Sequence, residues 1–513
     1  MSYKRKTLLL IAIGTLVRCL VACTIELGND EVYYRMYAQY LQWNYFDHPP
    51  VVGWLIRTTT ANLLLDSEFF IRLGAIVSAA ITTWIFFLSG RKLNGEYTGF
   101  LASLIYTATL YGSIIAGTFI LPDAPQMVCW SAGLCLLIAI CGDNLSAAKK
   151  NQALIYFGIV AGAGMLCKIH TSFLWLGFLL YIIFYDRSLL KLPALYISCM
   201  ITILFFYPVI QWNIDNHFAT WLYHSKRVDV ATGGLDPVSF LTFAAGQFFY
   251  CNPVIFPFII LASVAAIKNK LLIALPQKRL LLFSSLPLIA AATLISFFKN
   301  VLPHWTGPGY GGLILLTACY FAAQKRVNGF NTNAIPTALR WATALILVII
   351  TAGVLVINFL PGTLGKKDSV LLGEGDFTLD MYGWKDAKAR FVEIQKKEEQ
   401  AGVMKKDAII ISNKWFSAAH IDFYIAMPSK IDVVAIGDIS DIHQYAWLNT
   451  KRKKLKPGDD AWCIVPSENY FDVLHSFAPL FQRSLPADTI RQKRNGENCR
   501  LFYVYKFKNY TAK

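Results

Sequence analysis

The sequence predicts a polytopic α-helical membrane protein that ends in a small extracytoplasmic α/β domain. Three observations carry this. Of 513 residues, 55% are hydrophobic and 16% charged, with a mean hydropathy of +0.45; a soluble chain carries nearer ~25% charge. Apolar stretches of membrane-spanning length, roughly 17–25 residues, recur through residues 1–360. From 361 to 513 the composition becomes ordinary for a soluble domain of about 150 residues.

Spans are expected near 7–25, 69–90, 98–119, 125–142, 153–167, 172–185, 194–210, 239–266, 280–298, 308–323 and 341–360, about eleven in all. The first, behind Lys4-Arg5-Lys6, reads as a retained helix, because its apolar run is too long for a signal peptide and lacks a small-residue cleavage site. Basic residues gather in alternate short loops: Lys4, Arg5 and Lys6, then Arg91 and Lys92, Lys149 and Lys150, Arg187 and Lys191, and Lys268, Lys270, Lys278 and Arg279. These loops are expected to be cytoplasmic, which turns the others and the tail outward.

The net charge of +16 belongs to this pattern. From Lys366 onward, 24 basic and 19 acidic residues leave only +5, and the other +11 lies in the membrane part. With no nucleic-acid-binding motif beside it, the charge speaks against a nucleic-acid partner. Lys451-Arg-Lys-Lys454 reads as a solvated loop, or as a contact for anionic headgroups. Nine of eleven cysteines lie in or near spans as small packing residues. Cys463 and Cys499 fall in expected strands, where an outward location permits a disulfide. In the tail, 408–412, 431–435, 461–465 and 499–504 read as strands, and 383–400 and 418–426 as helices.

The outward loops hold the chemistry. The first, 26–68, combines Glu26, Asp30, Glu31 and Asp47 with Tyr33, Tyr34, Tyr37, Tyr40, Trp43, Tyr45 and Phe46. Asn29 and Asp30 suit a helix start, and the aromatic pattern that follows fits a helix lying on the membrane surface. Acidic groups beside a bilayer are costly unless they do chemistry or bind an ion. Asp123 lies in a second loop, and Lys168, His170, His217, His224, Lys226, Arg227, Lys299 and His304 supply cations or ligands. A sugar transfer needs such a set: a base for the acceptor, and positive charge or a metal for a leaving phosphate. Each residue also has a plainer reading. Asp30 and Asp123 fit helix caps, worth ~1 kcal/mol, and Glu31 fits a cap or a salt bridge. Asp47 fits a pair with Arg57 or His48, and His224 an interfacial polar residue. Lys168 fits a snorkelling side chain, and Trp305 an aromatic-belt anchor. The residues alone leave a membrane enzyme and a transporter both open.

Four motifs occur in order: Asp30-Glu-Val-Tyr-Tyr34, Tyr45-Phe-Asp-His-Pro-Pro50, Leu121-Pro-Asp-Ala-Pro125 and Leu302-Pro-His-Trp-Thr-Gly-Pro308. Together they resemble the glycosyltransferase 39-type membrane enzymes of the GT-C fold, which include protein O-mannosyltransferases and lipid A aminoarabinose transferases. Asn413-Lys-Trp-Phe-Ser-Ala-Ala-His-Ile-Asp-Phe-Tyr424 extends the resemblance into the tail. It implies a polyprenyl-phosphate-linked sugar donor, a lipid environment, and a lipid, glycan or protein acceptor outside the cytoplasm. By this likeness Asp30 is the expected catalytic base, with Glu31 beside it, and Asp123 is the acid of the second loop. Tyr45, Lys168 and Trp305 are expected at the donor phosphate, with Lys299 as a further cation, and Asp47 and His224 at a divalent metal ion. The chain has Asp47-His48 where the aminoarabinose branch has Glu-Lys, and Tyr33 where it has Arg, so two phosphate-compensating cations are missing or weakened. The competing expectation is a transporter, flippase or ligase of lipid-linked glycans. A transporter favours acids buried mid-span and repeated halves; here the acids gather at one face and no repeat is seen.

Overall fold

A computed structural model describes every residue except 143–144, 232–233, 329–334 and 512–513. Six helices are long and apolar enough to cross a membrane: Tyr3–Thr24, Glu68–Asn94, Asp123–Ile140, Pro193–Asp215, Leu275–Ser296 and Thr337–Phe359. Ile169–Tyr185 and Phe256–Ile267 are apolar but shorter. Leu9, Ile13, Leu16 and Leu20 of the first helix are exposed, as side chains facing lipid are. The architecture is that of a multi-pass membrane protein with a C-terminal sheet.

Differences from the expected spans have local causes. The stretch 239–266 forms two helices, Pro237–Tyr250 and Phe256–Ile267. Between them Asn252 adopts a left-handed φ of 72°, and the ring of Pro253 opposes helix continuation. The Asn252 amide donates to the carbonyls of Ala108 and Ala342, each at 2.9 Å. The stretch 98–119 is helical only to Thr107 and then enters a wide π-helical turn, Tyr111–Ile115. Elsewhere small residues bring helices close, as in membrane interiors: a Cβ on Gly158 would stand 2.4 Å from the carbonyl oxygen of Ser198.

The chain forms two compact units, residues 1–22 with 41–350, and residues 23–40 with 351–513. The first is the helical body, whose core includes Trp130, Phe157, Phe178 and Leu281. The second contains a five-stranded sheet: β1 (Ile409–Ser412), β2 (Val433–Ala435), β3 (Ala461–Pro466), β4 (Phe481–Arg494) and β5 (Glu497–Tyr510), in the order β2-β1-β3-β5-β4. β1 runs parallel to β2 and β3, whereas β5 is antiparallel to β3 and β4. β1, β2 and β3 are buried along their whole length, which is why they are visible as continuous apolar runs. β4 is not visible in that way. It is a charged edge strand with a register shift around Pro486, and edges tolerate charge and proline.

Three expectations for this unit are corrected. All eleven cysteines are free, and the buried Cys499 thiol donates to the Gln492 carbonyl at 3.6 Å. Arg452 of the basic run is not solvated: its guanidinium meets Asp422 at 2.5 Å and the Val433 carbonyl at 2.7 Å, while Lys453 pairs with Asp407 at 2.7 Å. The aromatic helix is Asn29–Gln39, and it is buried continuously from Glu31 to Ala38. It therefore lacks the polar face of a surface-lying helix. Tyr33 packs on Trp415 with ring centroids 4.7 Å apart and accepts the Gln444 N–H at 3.1 Å.

Candidate functional site

In the helical body, Asp123 opens the helix Asp123–Ile140 between Pro122 and Pro125. Proline suits a first turn, where its missing N–H has no helical partner to lose. Asp123 is more than a cap. Lys168 Nζ lies 2.7 Å from its Oδ2, with both side chains almost fully buried, and the Tyr111 hydroxyl donates to its Oδ1 at 3.1 Å. Lys168 sits where the helix Ala147–Cys167 gives way to the short turn Ile169–Thr171. It is buried, so it does not snorkel. A buried ion pair is sensitive to loss of either partner, because the other charge stays behind in low dielectric.

Imidazoles and an arginine surround this pair. His304 belongs to the turn Pro303–Gly309; desolvation lowers its pKa to about 4, opposed by the Asp123 carboxylate and reinforced by Lys168 and Arg227. Desolvation, reinforced by Lys168, His224, His170 and Arg227, holds His48 well below the usual range. His224 is also lowered, by desolvation first and by Arg227 and Lys168, against a bond to the Asp47 backbone. These three rings are therefore neutral at neutral pH, and Lys168 and Arg227 carry the fixed positive charge. The Arg227 guanidinium lies over the Trp305 ring at 5.1 Å and the Tyr223 ring at 5.6 Å. The His170 ring is 5.6 Å from that of Trp305. Two cations, one carboxylate and several neutral imidazoles form an environment suited to an anion.

Tyr45 is buried in the same body. Its hydroxyl accepts the Gln42 N–H at 3.1 Å, and its carbonyl accepts from Asn44 at 2.9 Å and Thr220 at 3.2 Å. Desolvation pushes its phenol up, so it remains protonated. Asp47 presents its backbone carbonyl, not its carboxylate, to His224 Nε2 at 2.9 Å. Among the described residues no group of three or more His, Cys, Asp or Glu could hold a metal ion. His224 Nε2 is engaged by the Asp47 carbonyl, which leaves Nδ1 as the ring nitrogen open to a ligand. Lys299 ends the turn after Leu275–Ser296, its N–H on the Ile295 carbonyl at 3.0 Å; among the described residues no hydrogen bond or ion pair draws its side chain to Lys168 or Asp123.

Tyr111 was not singled out by sequence reading, because it lies in an apolar run with no motif around it. Tyr111, Tyr250, Gln247, His304 and Tyr310 help line one cavity. The third loop explains its own glycine: a Cβ on Gly307 would fall 2.1 Å from the Tyr111 ring. Gly307→Ala should therefore push Tyr111 away from Asp123, lowering stability by about 1–3 kcal/mol, the usual range for overpacking. Thermal unfolding in detergent measures this, and an unchanged midpoint would refute the close packing.

In the other unit, Asp30 lies in the first turn of Asn29–Gln39 and is exposed. Glu31 is buried, and its Oε2 accepts the Gly28 N–H at 3.0 Å, so it caps the helix.

The profile of the dolichyl-phosphate-mannose-protein mannosyltransferase family matches residues 47–212. The chain is similar to the lipid A galacturonosyltransferase RgtD of Rhizobium johnstonii, 22% identical over 318 residues, which are 60% of this chain. It spans 65% of the length of that curated relative. Its fold is similar to ArnT from Cupriavidus metallidurans bound to undecaprenyl phosphate, with a TM-score of 0.61, 14% identity and 97% of each chain covered. The apo state of that protein matches with a TM-score of 0.60, 14% identity and 98% of each chain.

Proposed function

This chain is related to the GT-C membrane glycosyltransferases, and from that premise we propose that it transfers a sugar from a polyprenyl-monophosphate donor to an acceptor outside the cytoplasm. The observation that carries this reading is the buried Asp123–Lys168 pair with Arg227 and neutral imidazoles around it. Lys168 lies within the stretch matched by the mannosyltransferase profile. The match to a protein described with undecaprenyl phosphate supports the class of donor.

In the proposed reaction Asp30 takes the proton of an acceptor hydroxyl or phosphate. The acceptor oxygen forms a bond to the anomeric carbon from the face opposite the donor oxygen, and configuration inverts. The bond from that carbon to the donor oxygen breaks, and polyprenyl phosphate leaves with the electron pair. Lys168 and Arg227 stabilise its charge, with the Tyr45 hydroxyl and Trp305 as further contacts. Asp123 and Tyr111 orient Lys168, Glu31 shapes the helix start at Asp30, and Lys299 is a further cation for the donor phosphate. No step is assigned to a metal.

The same reading makes the eleven apolar stretches membrane crossings, shorter helices included, with the N-terminus in the cytoplasm. Residues 1–360 then supply the transmembrane enzyme and 361–513 the extracytoplasmic domain.

The test is to incubate the purified full-length protein with undecaprenyl-monophosphate sugars (mannose, galacturonic acid and aminoarabinose) and extracted envelope lipids or glycans. Acceptor-dependent release of undecaprenyl phosphate is expected with one of them. Turnover confined to pyrophosphate-linked glycans, or movement of the donor across a bilayer without its cleavage, would overturn the reading.

A further inference from the structure

Asp30 sits on a helix whose entry is tied to the C-terminal part of the chain at three of the four positions from Glu26 to Asn29. Glu26 accepts the N–H groups of Trp384 and Lys385 at 2.8 and 3.1 Å. Leu27 N–H donates to the Tyr424 hydroxyl at 2.7 Å, and Gly28 N–H to Glu31 at 3.0 Å. The fourth position, Asn29, immediately precedes Asp30. Its Nδ2 donates to Asp380 Oδ2 at 2.7 Å, and its Oδ1 lies 2.9 Å from His420 Nε2. An amide oxygen only accepts, so His420 carries its proton on Nε2. The His420 ring is fully buried and stacked on Trp384 with centroids 4.3 Å apart. The amide is thus held at both ends, and its orientation is set by two groups that belong to 351–513.

We propose that Asn29, Asp380 and His420 are positioning residues for Asp30, so that the C-terminal part of this chain is a required component of the sugar-transfer machinery. The proposal rests on Asp30 acting as the base. It also gives a purpose to His420 in the 413–424 motif, which the transfer chemistry leaves unused. A mere helix cap does not need this arrangement, because the Gly28–Glu31 bond already closes the helix start. The relay adds control of direction. Asp380 accepts best as a carboxylate, and a positioned base loses rate steeply with small displacements.

The relay is also pH-sensitive. Desolvation raises Asp380 to about 6, assisted by Glu468 and Asp376 and opposed by Arg500 and the Asn29 bond. Arg500 also faces His420, which desolvation keeps neutral. Asp380 is therefore ionised at neutral pH and becomes protonated, a weaker acceptor, as the pH falls through about 6.

Asp380→Asn replaces the carboxylate with a neutral group of the same shape. We expect its kcat for undecaprenyl-phosphate release to fall about tenfold near pH 7.5 with donor KM unchanged, and to match wild type at about pH 5, where wild type has itself declined. His420→Phe keeps the stack on Trp384, loses the donor, and should show the same kcat loss. Hydrogen–deuterium exchange of residues 26–33 should quicken in both variants, while exchange in 41–350 stays as in wild type. A wild-type kcat and wild-type acid limb in Asp380→Asn, or unchanged exchange at 26–33 in both variants, would overturn the proposal. Asp30→Asn distinguishes the failures: transfer surviving in that variant removes the base reading, whereas loss of transfer there with full activity in both relay variants removes only the positioning role.

Discussion

Asp30→Asn should lower kcat for sugar transfer by about 10²–10⁴-fold, the usual contribution of a general base. The fold should survive. Asp30 lies in a first helical turn, where a negative charge contributes only ~0.3–1 kcal/mol through the helix dipole. The Glu31–Gly28 cap remains in place, and Asp30 is exposed, so the amide opens no cavity and buries no new polar group. The loss should appear in kcat, with donor KM close to wild type, because a proton acceptor works on the acceptor substrate in the transition state. Donor turnover and thermal unfolding, measured on one preparation, separate chemistry from folding. Transfer within a few-fold of wild type would remove Asp30 from the mechanism.

Lys168→Met should be costly twice over. Asp123 would remain buried with the Tyr111 hydroxyl but without its cation. Breaking a buried pair from one side costs about 3–5 kcal/mol. The same change removes one of the two fixed positive charges proposed for the departing phosphate. The double variant Lys168→Met with Asp123→Asn separates the effects. It removes both charges, so thermal stability should recover most of the loss while transfer stays low. If transfer recovers with stability, the lysine serves only the fold. If stability fails to recover, the pair is not the source of the loss.

Much of the architecture was legible along the chain because hydropathy is a local signal. The six long apolar helices coincide with expected spans, and the buried strands β1, β2 and β3 with expected strands. Four ordered motifs pointed to the GT-C enzymes, and the fold similarity to ArnT agrees. Signals failed where a partner distant in sequence decides the outcome. Lys168 looked free to snorkel, yet Asp123, 45 residues away, holds it in the interior. Arg452 looked solvated until Asp422 and the Val433 carbonyl enclosed it. β4 escaped notice because an edge strand has little apolar face to display.

By itself the sequence determined the membrane class, the order of the motif loops and the sheet-bearing tail, since each follows from composition or periodicity within a short window. Only the tertiary structure decided which charges are buried together and that the segment 23–40 packs with the tail. It likewise assigned capping to Glu31 and brought Asn29 between Asp380 and His420, 351 and 391 residues away. The physical reason is that a polar side chain's state depends on desolvation and on the partner it meets, and both are properties of packing in space.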